Sequence, residues 1–183
     1  MKHAGYSNAV SRRTVLGSVG VAASFALGAN ELPDAKASAA NTIQWPALHL
    51  VNGPDLKPGE WTGLPAIVVF WETWCPYCKR HNARVEQLYQ ATLGKKIRVM
   101  GATTETDEAK VKAYVTSSQL HFPVALVTPD FREQFTKRKV IPLTCLVSAA
   151  GTLLQVIPGE MTQEDVLALA AQVMGGGPKI PSN

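Results

Sequence analysis

Apolar residues along this chain fall into blocks whose period switches between two and about 3.6. "GLPAIVVFW" is a continuous β-branched and aromatic run of the length of a buried central strand, predicted over Ala66–Trp71. From Pro76 the spacing turns helical. Val85, Leu88, Tyr89 and Thr92 fall at offsets 0, 3, 4 and 7, and Gly94 follows where a helix C-terminus favours it, so a helix is expected over Pro76–Leu93. "KIRVMGATT" is the next strand, and "TDEAKVKAYVTSSQL" a helix opened by a capping Thr106 and two acids. "FPVALV" then reads as a short strand and "DFREQFTKR" as a short helix. "LTCLVSAAGTLLQVI" has the form of a hairpin turning near Ala149-Ala150-Gly151. "TQEDVLALAAQVM" is a helix opened by Thr162 with Asp165 three residues on, and closed by glycines. Ahead of the central strand, "ALHLV" is a further strand candidate, followed by the turn-rich "NGPDLKPGEW". The order β-α-β-α-β-(α)-β-β-α predicts an α/β layered domain with a mixed central sheet flanked by helices, a C-terminal β-hairpin and a last helix.

The first forty residues stand apart from that pattern. Arg12 and Arg13 precede an apolar, Ala/Gly-rich stretch of 15 residues, Val15–Ala29, and a small-residue exit follows at Ala37-Ser38-Ala39. These are the parts of an export signal in order, and the apolar stretch falls short of the ~20 residues of a membrane-spanning helix. "SRRTVLG" resembles the twin-arginine export motif, with Val15 where Phe is more usual. Export would carry the chain into an oxidising compartment, where dithiol chemistry is expected. Residues 1–39 are therefore expected to be a cleaved twin-arginine-like signal, 40–174 the folded domain and 175–183 a flexible tail, with a periplasmic destination. An uncleaved signal would instead anchor the protein to the membrane.

Charge adds little. The formal charge of +4 includes four basic and two acidic residues of the signal segment, leaving +2 for the rest. No basic stripe interleaved with aromatics points to nucleic acid, and Lys137-Arg138-Lys139 reads as a solvated face. With 46% hydrophobic and 17% charged residues, the chain has material for one core.

The chemistry lies in "FWETWCPYCKRH", Phe70–His81, which holds two of the three cysteines. Cys75 and Cys78 fall where a strand feeds a helix, the end of an α/β sheet at which chemistry gathers. A helix N-terminus favours thiolate by ~0.3–1 kcal/mol, or ~2 when partly buried. At about 1.36 kcal/mol per unit, this effect lowers a thiol pKa by roughly one unit. Cys75, first and more exposed, is the candidate nucleophile, and Cys78, one turn inside, the resolving thiol. A C-x-x-C is also a zinc spacing. Zinc would need two further ligands, with His81 and Cys145 the obvious candidates, and a structural disulfide is a third alternative. Trp74, Pro76 and Tyr77 suit the rim of a groove for an extended substrate better than a metal knuckle.

"VVFWETWCPYCKRH", then "VIPLT", then "GTLLQVIPGEMTQEDV" together resemble the TlpA/ResA-type branch of the thioredoxin superfamily, from roughly Ala47 to Met174. The resemblance implies a thioredoxin-like fold, no cofactor, no metal and exported thiol–disulfide oxidoreductase activity. It implies a reductant, fed by a membrane thiol-redox donor, that acts on oxidised or dithiol-containing exported proteins. The alternatives are an oxidant or isomerase exchanging with a membrane acceptor or, in a different class, a copper or zinc chaperone using Cys75, Cys78 and His81. Pro142 matches the family's cis-proline facing the dithiol, which leaves the backbone of Ile141 to pair with substrate. The Pro76-Tyr77 pair is glutaredoxin-like and implies a middling potential.

The chain departs from the family where a glutamate commonly follows the second cysteine by three residues. His81 stands there, either tuning Cys78 from the same helical face or pointing into solvent. Val69 occupies the place of the buried aspartate of thioredoxins proper. Glu72 is the nearest carboxylate, as a stand-in acid/base or a plain surface loop residue. Ala83 replaces a helix-kinking proline. Cys145, ~10 Å along the strand from Pro142 at about 3.3 Å per residue, is expected in the core. His49 and His121 are expected at the surface, Trp71 beneath the active site, and Trp45 and Trp61 in core or rim.

Overall fold

The computed structural model describes residues 42–175. The expectations for the export signal and for the tail beyond Gly175 fall outside that range. The elements are β1 (His49–Leu50), β2 (Ala66–Phe70), α1 (Pro76–Thr92), β3 (Arg98–Thr103), α2 (Glu108–Ser117), β4 (Val124–Leu126), α3 (Pro129–Glu133), β5 (Leu143–Val147), β6 (Leu153–Pro158) and α4 (Gln163–Val173).

They form one six-stranded sheet in the order β1-β4-β3-β2-β5-β6. β2, β3 and β4 run parallel, and β1, β5 and β6 each pair antiparallel with a neighbour. β2 is fully buried on both faces, which explains its unbroken apolar run. Its side chains alternate between two core clusters. Ile67, Val69 and Trp71 pack with α1, α2 and α4, while Ala66, Val68 and Phe70 pack with Trp45, Trp61, Phe131 and Phe135. This is the thioredoxin-like arrangement, a mixed sheet with a closing hairpin and a last helix.

Caps fix the helix starts. Thr162 accepts from the Asp165 N–H as expected. At α2 the cap is Asp107, whose carboxylate accepts from Lys110 N at 3.0 Å, and not Thr106; an ionised oxygen is the stronger acceptor at a positive helix end. Gly94 and Gly151 take φ of 75° and 82° after α1 and in the β5–β6 turn, a conformation that glycine adopts without strain.

Two tethers hold the sheet edge that matters for chemistry. β5 pairs Leu143 with Phe70, the last residue of β2, so Pro142 and Trp71 leave the sheet at the same end. Gly159, after β6, donates its N–H to the Pro142 carbonyl at 2.8 Å.

Candidate active site

Cys75 is the N-cap of α1 and Pro76 its first residue, a position where the missing proline N–H costs nothing. Cys75 Sγ accepts from the Cys78 N–H at 3.1 Å, and the two sulfurs are joined in a disulfide. The first turn of α1 carries no acidic residue, so its positive end acts on sulfur without competition. Cys78 is completely buried and Cys75 almost so, at 0% and 4% exposure, which leaves Cys75 the less buried residue of the two. Trp74 and Tyr77 flank it as exposed aromatics, and Arg80 lies over the Tyr77 ring at 5.0 Å.

The Ile141–Pro142 bond is cis. Pro142 is buried and Ile141 half-buried. Ile141 lines a cleft of about 490 Å³ whose other walls include Trp74, Glu72, Glu105, Arg132 and Lys139. Arg132 holds the approach to the proline, donating to the carbonyls of Arg138 and Val140 at 3.1 and 3.0 Å while lying over the Phe70 ring. Lys137 and Lys139 are solvated, as expected of a charge run, and they also line this cleft.

His81 is not the solvent-facing histidine that was one of its two alternatives: it is fully buried. Met161 N donates to its Nδ1 at 3.4 Å, which leaves the ring proton on Nε2 to face Thr144 Oγ1 at 3.0 Å. Burial foremost, with the nearby Arg84 charge, lowers its pKa to about 4. The ring is therefore neutral at pH 7. Glu160 closes the same turn over α1, accepting from Arg80 and from Arg84, and Arg84 also donates to the Met161 carbonyl.

Glu72 is likewise no free loop carboxylate. It is half-buried and accepts from Thr103 Oγ1 and Thr104 Oγ1, both at 2.8 Å, and from Thr104 N at 3.3 Å. Its carbonyl accepts from Cys75 N at 3.2 Å. Glu105 stands beside it and takes the Thr73 N–H and hydroxyl together with Lys110 Nζ. Burial opposes its ionisation, but these hydrogen bonds outweigh burial and hold Glu105 below the usual carboxylate range. The two carboxylates thus brace the turn that presents Trp74 and Cys75. Sequence reasoning missed Glu105, Arg132, Thr144 and Glu160; only Thr144, next to Cys145 in an alternating strand, had a signal that register would have exposed.

The ligands a metal would need do not converge. Cys145 is buried on the opposite face of the sheet, with Val68 and Phe70, and burial pushes its thiol pKa up. Both His81 nitrogens are engaged, and His49 and His121 are exposed and paired with carboxylates. Among the described residues no three His, Cys, Asp or Glu side chains gather as a metal group.

A disulfide capping a helix at the sheet end where a cis-proline enters β5 suits exchange of one disulfide for another, and the class it defines is the thioredoxin-fold thiol–disulfide oxidoreductases. The AhpC/TSA family profile matches residues 34–153, and the chain belongs to that family. It is 28% identical over 119 residues to the thiol-disulfide oxidoreductase ResA of Bacillus thuringiensis subsp. konkukian, covering 63% of this chain and 67% of that one. It is 25% identical over 131 residues to sporulation thiol-disulfide oxidoreductase A of Bacillus subtilis, covering 66% and 76%. The thiol:disulfide interchange protein of Chlorobium tepidum superposes with a TM-score of 0.65 at 22% identity, over 73% of this chain and 97% of that one.

Proposed function

We propose that this oxidoreductase is exported through the signal at residues 1–39 and acts outside the cytoplasm as a reductant of disulfides in exported proteins, recharged by a membrane thiol donor. The single observation that carries the chemistry is the Cys75–Cys78 disulfide at the N-terminus of α1, with Cys75 the less buried residue of the two. In the reduced protein the Cys75 thiolate attacks a substrate disulfide. One substrate sulfur leaves with the electron pair, and a Cys75–substrate mixed disulfide forms. The Cys78 thiolate then attacks Cys75 Sγ, releasing the second substrate sulfur and restoring the internal disulfide.

Trp74, Pro76 and Tyr77 form the rim on which an extended substrate rests, and the Ile141 backbone beside cis Pro142 is the edge with which it pairs. Glu72 braces the loop, and His81 holds the α1 face against β5.

Two features favour reduction. Cys78 is sealed from solvent, which disfavours its thiolate, and the one histidine beside it on the helix is neutral at pH 7. Both features favour the closed disulfide over the open dithiol, as a reductant requires.

Trapping tests the order of events. Cys78→Ser should accumulate a disulfide-linked adduct with an oxidised peptide, released by dithiothreitol, whereas Cys75→Ser should yield none. Equal trapping by both variants would remove Cys75 as the attacking sulfur.

A further inference from the structure

One side chain next to the disulfide is a buried amide with hydrogen-bonding capacity to spare. Asn82 is fully buried on the face of α1 that carries Cys78, four residues further on. At that spacing two side chains on a helix are neighbours. Neither its Nδ2 nor its Oδ1 makes a well-formed hydrogen bond among the described residues. Its polar neighbour is the Tyr114 hydroxyl, equally buried, and the amide is close enough to oppose the rise in that phenol's pKa that burial causes. The Tyr114 ring packs at 4.9 Å on Trp71, which belongs to the cluster of Cys75 and Cys78. Buried amides are rarely left in this condition, because desolvating them without a partner is costly.

The structure holds the disulfide, the state in which Cys78 Sγ has least to offer an amide. Reduction changes that, since a thiolate is a strong acceptor and charge-assisted hydrogen bonds are the strong ones. His81 cannot serve, because both its nitrogens are engaged by Thr144 and Met161. The Cys78 N–H is directed at Cys75 Sγ. The Asn82 amide has two N–H groups and Tyr114 can take only one of them, which leaves a donor one turn from the inner sulfur.

We propose that Asn82 Nδ2–H donates to Cys78 Sγ in the reduced protein and stabilises that sulfur as leaving group and as nucleophile. The inference rests on Cys75–Cys78 cycling as an oxidoreductase couple. When a partner thiolate attacks Cys75 Sγ, a new S–S bond forms, the Cys75–Cys78 bond breaks, and Cys78 departs with the electron pair toward the amide. In the opposite direction the same thiolate returns the pair to Cys75 and expels the partner sulfur.

The test is Asn82→Leu, close in volume and without polar atoms. Its Cys75–Cys78 couple, equilibrated with glutathione, should shift toward the disulfide by about tenfold, which is ~30 mV lower in potential. The Cys78 thiol pKa, read in a Cys75→Ser background, should rise. A shifted equilibrium with an unmoved thiol pKa would mean that the substitution acts on packing alone, and would overturn the proposal, as would no change in either. On the unsubstituted protein, the Asn82 side-chain amide resonances should move on reduction and follow the Cys78 titration. Resonances identical in both redox states overturn the proposal even if Asn82→Leu fails to fold. A chain that never equilibrates with glutathione would instead remove the oxidoreductase couple on which the proposal rests.

Discussion

His81 is held uncharged by its surroundings, and that has a consequence for stability. Its pKa is about 4 in the folded protein against about 6.5 in an unfolded chain. Between those values the unfolded state binds the proton and the folded state does not, so stability falls as pH drops from 7 toward 4. The interval is worth roughly 3 kcal/mol, at about 1.36 kcal/mol per unit. Urea unfolding of the native chain at pH 7 and pH 4.5 should show this loss, and in His81→Gln the same pH step should have a smaller effect. An equal loss in both would place the pH sensitivity elsewhere. At pH 7 the His81 ring is therefore neutral and not an imidazolium.

Packing between elements sets a second constraint. Gly101 lies in the middle of β3, and a Cβ added there would come within 2.6 Å of Trp71 Nε1 and 2.7 Å of Phe122 Cε2. Both rings are fully buried, so neither can swing away. Gly101→Ala should destabilise the fold by roughly 1–3 kcal/mol, the usual penalty of overpacking a core, measured as a lower urea midpoint with an unchanged slope. Wild-type stability in that variant would mean that the Trp71 layer is loosely packed. The sequence pattern carried most of the element map, because α1 and α4 bury one face at a helical period and β2 is a short unbroken β-branched run bounded by turn residues. It misplaced the α2 cap by one residue, because Thr106 and Asp107 are both capping types and only the backbone decides between them. Cys75 and Cys78 were legible because a thiol pair at that spacing between a strand and a helix is a marked signal, and Pro142 was singled out by the family resemblance of its segment. Glu105, Glu160 and Thr144 were not, since each acts on a partner at least 32 positions away that only the sheet order brings near; Arg132 was not, because the backbone carbonyls it holds carry no side-chain signal.

At the scale of the whole molecule, one edge collects everything chemical. The carboxyl end of β2, the N-terminus of α1, the Pro142 bend entering β5 and the Gly159–Met161 turn after β6 meet there, tied by Gly159 to Pro142 and by Met161 to His81. Cys145 lies behind the sheet, in the opposite core. No helix among the described residues is long and apolar enough to cross a membrane. A buried inner sulfur with no cation beside it on its helix face suits a couple that gives electrons away. The measurement that tests this most directly is a redox titration of Cys75–Cys78 against defined glutathione or dithiothreitol ratios. A reductant should titrate as a two-electron couple with a potential near that of thioredoxin, about −270 mV. A value near about −120 mV, where strongly oxidising periplasmic enzymes lie, would contradict the reducing role, and a pair that does not titrate at all would contradict the redox site itself.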